Sequence, residues 1–369
     1  RRYRKPDWNI RETVVQGRTV AVKERVLVKK PFCNLLHFER EVSAWRRYRD
    51  PKVLVVAPMA GHFATLLRGT VRDLLPHHDV YVTDWQDARF VPRAEGPFDL
   101  DDYIDYILEF LRFFGGDVHV MAVCQPTVPV FAAVALMEAA GDPAVPRSMI
   151  LMAGPIDARE NPTAVNRFAE SRSIEWFRRN VITQVPWPYP GMMRLVYPGF
   201  LQLSGFMGMN LERHVSAHRD LFHNLIKGDG DSADKHREFY DEFLAVMDLT
   251  AEYYLQTIET VFLEHKLPKG LMTHGNLRVD PSKIKHVALM TVEGEKDDIS
   301  GIGQTRAAQK LCTNLAEGLR EHHLQAGVGH YGVFNGSRFR AEIAPKIRNF
   351  IAKHQRRRGV FTWALGRSA

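Results

Sequence analysis

The sequence predicts an α/β fold: a mostly parallel sheet flanked by helices, with a mainly helical cap inserted into it. Three observations carry this. Between residues 53 and 153, short apolar runs alternate with segments of helical period, the mark of successive βα units. From about Gly154 to about Lys285 the strand signal fades, and aromatic, proline and methionine residues crowd in. From His286 the alternation returns, so the middle segment reads as an insertion into one sheet domain. The expected division is core 1–153, cap 154–285 and core again 286–369.

The elements follow in order. Arg11 to Val28 reads as two strands turning at Gln16-Gly17, and Phe32 to Phe38 as a third, the antiparallel start of a mixed sheet. The continuous apolar run Val53 to Ala57 fits a strand buried on both faces, and it ends in the small-residue loop Met59-Ala60-Gly61-His62. Residues 64–75 look helical, and Val80 to Trp85 is the next strand. Leu100, Tyr103, Ile104, Ile107, Leu108, Leu111 and Phe114 recur at the helical period, and Gly115-Gly116 ends that helix. Val118 to Val123 is a strand, Cys124 stands in the turn after it, and an apolar helix runs to Ala140. Ser148 to Ala153 is another strand.

In the cap, residues 176–210 hold Trp187, Tyr189, Tyr197, Phe200, Phe206, Met207 and Met209 among many prolines and glycines. Such a mixture packs poorly as a regular helical core and is expected to face an apolar substrate, with Trp187, Tyr189, Tyr197 and Phe200 as the candidate contacts. Residues 214–227 and 233–265 read as helices. After the cap come a strand over 286–292, a helix over 302–316, a short strand over 322–326 and a closing helix over 338–354.

Charge excludes some partners. Lysine and arginine exceed aspartate and glutamate by 50 to 43, a net charge of +7. Much of the excess sits in Arg1-Arg2-Tyr3-Arg4-Lys5 and Arg356-Arg357-Arg358, where solvated termini are the plain reading. No basic stripe interleaved with aromatics argues for nucleic acid. No apolar run is long enough to span a bilayer, and no signal peptide is visible. Three cysteines, Cys33, Cys124 and Cys312, make no disulfide framework and point to a reducing compartment.

The chemistry is concentrated at three strand ends. A nucleophile on a sharp strand-to-helix turn is the elbow of the α/β-hydrolase fold, whose catalytic residues follow in the order nucleophile, acid, histidine. Here that order is Cys124, Asp297, His330, each just after an expected strand. A thiol needs a base to take its proton, an acid to orient the base and donors for the oxyanion. The elbow usually reads Gly-x-nucleophile-x-Gly; this one has Ala122 and Pro126 at those positions. Pro126 suits the first turn of a helix, where its missing N–H is no loss. For the acid, Asp297 fits the usual spacing after Gly294, with Asp298 and Asp157 as alternatives; His62 is the rival base. The oxyanion donors are expected to be the backbone N–H groups of Gln125 and of Met59 or Ala60.

Read together, several segments resemble one family. They are Val123-Cys124-Gln125-Pro126-Thr127-Val128-Pro129, Val55-Val56-Ala57-Pro58-Met59-Ala60-Gly61-His62, Gly154-Pro155-Ile156-Asp157-Ala158-Arg159, Tyr197-Pro198-Gly199-Phe200 and Glu293-Gly294-Glu295-Lys296-Asp297-Asp298-Ile299. Together they are similar to the bacterial intracellular poly(3-hydroxybutyrate) (PHB) depolymerases, over about Lys5 to about His354. The resemblance implies Cys124, Asp297 and His330 as the triad. It implies hydrolysis of amorphous PHB in cytoplasmic granules to 3-hydroxybutyrate oligomers and monomer, with no metal or organic cofactor. The implied partners are the granule surface and the polymer chain, and a homodimer is left open. The rivals are a polyester synthase, whose elbow resembles Gly-x-Cys-x-Gly, a thioesterase or lipase for small acyl substrates, and a non-catalytic granule-coat protein.

Overall fold

The computed structural model describes residues 5–42, 50–201 and 244–355. The expected helix 214–227, the first part of 233–265, Phe206, Met207 and Met209 of the aromatic-rich stretch, and the basic ends 1–4 and 356–358 lie outside the described residues.

The chain opens with β1 (Glu12–Val15), β2 (Arg18–Lys29) and β3 (Cys33–Arg40), which pair antiparallel. Gln16 and Gly17, both at positive φ, make the first turn. β4 (Lys52–Val56), β5 (Asp79–Trp85), β6 (His119–Val123) and β7 (Ser148–Met152) follow as parallel strands. The second region contributes short strands: β8 (Thr183–Gln184), β9 (Leu195–Tyr197) and β10 (Leu249–Thr250) form one small antiparallel sheet, β11 (Thr273–His274) and β12 (Leu277–Arg278) a hairpin. β13 (Ala288–Gly294) and β14 (Arg320–Gln325) then rejoin the main sheet, in parallel. Its nine strands run β1-β2-β3-β5-β4-β6-β7-β13-β14.

Burial explains the order. β4, β6, β7 and β13 are almost wholly buried, as strands covered by helices on both faces must be, and their side chains are mainly apolar. β2 and β14 keep exposed positions and flank that centre. Three helices of the first half cover the sheet: α1 (Arg68–Leu74), α2 (Leu100–Phe113) and α3 (Thr127–Ala139). In α2, Asp99 and Asp102 form a reciprocal capping box, each carboxylate accepting the other's backbone N–H at 2.9 Å. α3 is buried nearly all round, which suits an apolar helix without a polar face.

The described part of 154–285 differs from the sequence reading in its strands. Two- and three-residue strands are too short to show a period of two, so no pattern announces them. Helices are present at Ala164–Glu170, Ile174–Asn180 and Ala251–Thr257, the last continuing as a π-turn over Ile258–Leu263. The helix expected over 302–316 is shorter, Ala307–Leu311, because the turn before it is fixed by Glu293, whose carboxylate accepts the N–H groups of Gly303 and Arg306.

Candidate active site

β6 ends at Val123, and the chain reverses sharply at Cys124, which holds φ at +68°. A non-glycine residue rarely adopts that conformation, and it lifts the side chain out of the strand. The turn is pinned on both sides: Cys124 donates its N–H to Met152 O at 2.7 Å and accepts from Thr127 N at 3.1 Å. Pro126 follows in helical conformation directly before α3, and its carbonyl accepts from Val130 N at 3.0 Å. The close packing comes from the next strand. A Cβ on Gly154 would lie 1.9 Å from Thr127 Oγ1 and 2.4 Å from Cys124 O.

The loop after β13 carries the acid. Asp297 Oδ1 accepts from Ile299 N at 2.9 Å and Ser300 N at 2.8 Å, which fixes the carboxylate. Its side chain is 0% exposed, whereas Asp298 is exposed. The loop after β14 brings His330, whose Nδ1 meets Asp297 Oδ2 at 2.9 Å and Oδ1 at 3.0 Å. With Nδ1 so engaged, Nε2 is the nitrogen free for Cys124, which lies close enough for its charge to act on the ring. Burial alone would keep the imidazole neutral. The Asp297 carboxylate and the charge on Cys124 outweigh it, and His330 is raised well above its ordinary range.

The other candidate acids and bases stand apart. Asp157 is held by Arg159 through contacts of 2.8 and 2.7 Å. His62 is buried in an isolated bridge between its strand end and Val246. Cys33 and Cys312 are buried thiols; burial pushes Cys33 well up and Cys312 up to about 12, so neither is a ready nucleophile.

Cys124 opens into a cavity of about 150 Å³ that is mostly apolar. Met59, Ala60 and Gln125 line it as well. The backbone N–H groups of Met59, Ala60 and Gln125 donate to no acceptor among the described residues. The loop carrying Met59 is braced from below, Ala57 N donating to Thr83 Oγ1 and Trp85 Nε1 to Ala57 O, both at 2.9 Å. It is braced from above by Met247 N on Gly61 O at 2.7 Å. Larger open clefts exist, such as one of about 600 Å³ around Pro146, Arg147 and His354, at the other end of the strands and without a nucleophile.

None of Trp187, Tyr189, Tyr197 and Phe200 is among the side chains lining this cavity. Trp187 and Phe200 are exposed. Tyr189 packs on Ala88, Val185 and Val196, with Arg89 over its ring. Tyr197 comes nearest, stacking at 3.9 Å on Tyr254, which does line the cavity. The wall instead comes from Tyr253, Tyr254, Thr257, Ile258 and Phe262. Their spacing is that of one helix face, which in a sequence is indistinguishable from ordinary core. Among the described residues, no group of three His, Cys, Asp or Glu side chains is arranged to hold a metal ion, and no helix is long and apolar enough to cross a membrane.

Comparison with known proteins places the chain. Its fold is shared with a soluble variant of monoglyceride lipase from Saccharomyces cerevisiae, at TM-score 0.50 and 11% identity, covering 92% of this chain and 97% of that one. A monoacylglycerol lipase from Paleococcus ferrophilus is similar at TM-score 0.47 and 12% identity, over 83% and 97%. A thermophilic esterase from Thermogutta terrifontis is similar at TM-score 0.46 and 13% identity, over 94% and 98%. No curated protein matches the chain in sequence. Residues 153–355 match the family described as PHB de-polymerase C-terminus, which is more than half of the chain. The chain, an α/β-hydrolase in fold, belongs to the PHB depolymerase family.

Proposed function

We propose that the chain is an ester hydrolase that cleaves poly(3-hydroxybutyrate) through Cys124, His330 and Asp297. The observation that carries this reading is the buried Asp297–His330 pair beside Cys124 at an apolar cavity, in a chain of this family. His330 takes the Sγ proton of Cys124, and the sulfur attacks the ester carbonyl. The negative oxygen of the tetrahedral intermediate is held by the N–H groups of Gln125 and Met59. Collapse breaks the ester C–O bond, His330 gives its proton to the departing alkoxide, and an acyl-thioester remains. Water enters, loses a proton to His330 and attacks the thioester. The acid is released, and the sulfur recovers a proton from His330. Asp297 orients the imidazole and offsets its positive charge at each stage.

In this reading, residues 154–285 form the cap over the site, and the exposed aromatics Trp187 and Phe200 face the polymer surface. The site of action is the cytoplasmic granule, and the products are 3-hydroxybutyrate oligomers and monomer. The departure from glycine at Ala122 and Pro126 speaks against a synthase. The test is product analysis on amorphous PHB granules, with and without CoA. Release of hydroxybutyrate in water supports the reading. Polymer formation from 3-hydroxybutyryl-CoA, or granule binding without release, overturns it.

A further inference from the structure

The cavity beside Cys124 is apolar except for one feature. Four buried polar atoms on its lining residues have no hydrogen-bond partner: Gln125 Oε1, Tyr253 OH, Thr257 Oγ1 and Ser300 Oγ. Tyr253, Thr257 and Ser300 are 1%, 7% and 3% exposed. Buried polar groups are nearly always paired, and a cluster of unpaired ones next to a nucleophile marks where a ligand's polar atom belongs. Three of the four converge. Tyr253 and Thr257 are four residues apart at the end of one helix, so their hydroxyls share a face. The Tyr253 hydroxyl approaches both Thr257 and Gln125, and the charge on Cys124 reaches it, yet it completes no hydrogen bond of good geometry.

The unsatisfied set has a definite chemistry. The two hydroxyls can each donate and accept, and the Gln125 carbonyl oxygen accepts only. A ligand hydroxyl, which donates one hydrogen bond and accepts others, satisfies all three together; a methylene satisfies none. The volume sets the size. A cavity of about 150 Å³ is what holds a benzene molecule, about six non-hydrogen atoms. A four-carbon acyl group bearing one hydroxyl has the same size.

We infer that Tyr253, Thr257 and Gln125 form a recognition site for a hydroxyl on the third carbon of the acyl group, so that the cavity selects a short 3-hydroxyacyl unit over the same chain without the hydroxyl; in the polyester that unit is the one at the hydroxyl end of a chain, since every other third-carbon oxygen is esterified. The inference rests on the proposed acyl-enzyme chemistry for the position of the acyl carbon. It makes Tyr253 and Thr257 specificity residues rather than members of the triad. The helix passes into a π-turn at Ile258, directly after Thr257, and such turns are frequent at functional sites.

The test compares kcat/KM for the N-acetylcysteamine thioesters of 3-hydroxybutyrate and butyrate, using the full chain. The expected preference for the hydroxylated ester is about 100-fold, the order found where a site is built around a substrate hydroxyl. Tyr253→Phe and Thr257→Val each lower that ratio by about tenfold, and Thr257→Ser, which keeps the hydroxyl, restores it. Thermal melting checks that each variant is folded. A wild-type ratio near one, or a ratio unmoved in both variants, overturns the inference. A calorimetric titration of the Cys124→Ala protein with 3-hydroxybutyrate and with butyrate reads the site without turnover. Tighter binding of the hydroxy acid supports the site, and equal binding overturns it. Selective binding with no hydrolysis of either thioester overturns the enzyme reading and leaves the recognition site standing.

Discussion

Each end of strand β6 lies beside a histidine, His119 in the strand itself and His330 in the loop after β14, and the two rings are held in opposite states. His119 begins the strand and is fully buried, with Nδ1 on Ser148 Oγ at 2.7 Å and Nε2 on Gln355 Oε1 at 2.8 Å. Burial lowers it to about 4, and the nearby cation of Arg147 works in the same direction. At the far end, beyond Cys124, His330 is 4% exposed, nearly as buried, yet it is raised well above its ordinary range. The difference is the partner. Burial makes a charged ring costly in both places, and at His330 the facing Asp297 carboxylate and the charge on Cys124 reverse the outcome. One end of the strand therefore serves stability through a neutral histidine, and the other is equipped for proton transfer.

The comparison can be broken first at the reactive end. Cys124→Ala should reduce hydroxybutyrate release from amorphous granules by about 10⁴-fold or more, because nothing else at the turn can form the thioester. Undiminished release would remove Cys124 from the chemistry. Next, Asp297→Asn should cost about 10³-fold in kcat, and Asp298→Asn no more than about threefold, since only Asp297 meets the ring. The lower limb of the pH–rate profile, where protonation of the base stops the reaction, should also move to lower pH in Asp297→Asn, because the larger of the two charges that raise His330 is gone. A reversal of the two aspartates would reassign the acid.

The other end of the strand is tested by pH. The ring of His119 binds its proton less readily in the fold than in the unfolded chain, so between pH 6.5 and 4 the unfolded chain holds more protons. The stability from the neutral ring is full above about pH 6.5 and is lost as pH falls towards 4, on the order of 3 kcal/mol. His78, lowered to about 3 by burial, adds to the same decline. Urea unfolding across that range should show the loss, and His119→Asn should flatten it. A wild-type stability that is level from pH 7 to 4 would contradict this. The smallest effect is expected at the elbow's packing: Gly154→Ala should cost about 2 kcal/mol, because its Cβ would collide with the Cys124 carbonyl. Chemical unfolding measures it, and an unchanged midpoint would mean that the turn yields without strain.

Much of the frame was legible from the residues. The βα alternation from Val53 to Ala153 and the turn at Gln16-Gly17 depend on local pattern, and local pattern is what a sequence displays. The cavity wall was not legible. Tyr253, Tyr254 and Thr257 look like the buried face of any helix until the fold sets that face against Cys124. The same holds for Gly154, whose value lies in its close approach to Thr127 at the start of α3 rather than in a turn of its own. Trp187, Tyr189, Tyr197 and Phe200 show the converse, since their aromatic character stands out in the sequence but does not bring them to the cavity.

By itself the sequence determined the strand ends on which Cys124, Asp297 and His330 sit, because chain order and the alternation of elements fix which loops gather at one edge of a parallel sheet. Tertiary structure alone decided the state of His330, the unpaired polar atoms beside Cys124 and the small size of the cavity. Each of these depends on distance and burial between residues far apart in the chain, and the electrostatic cost of burial has no counterpart in a string of residues.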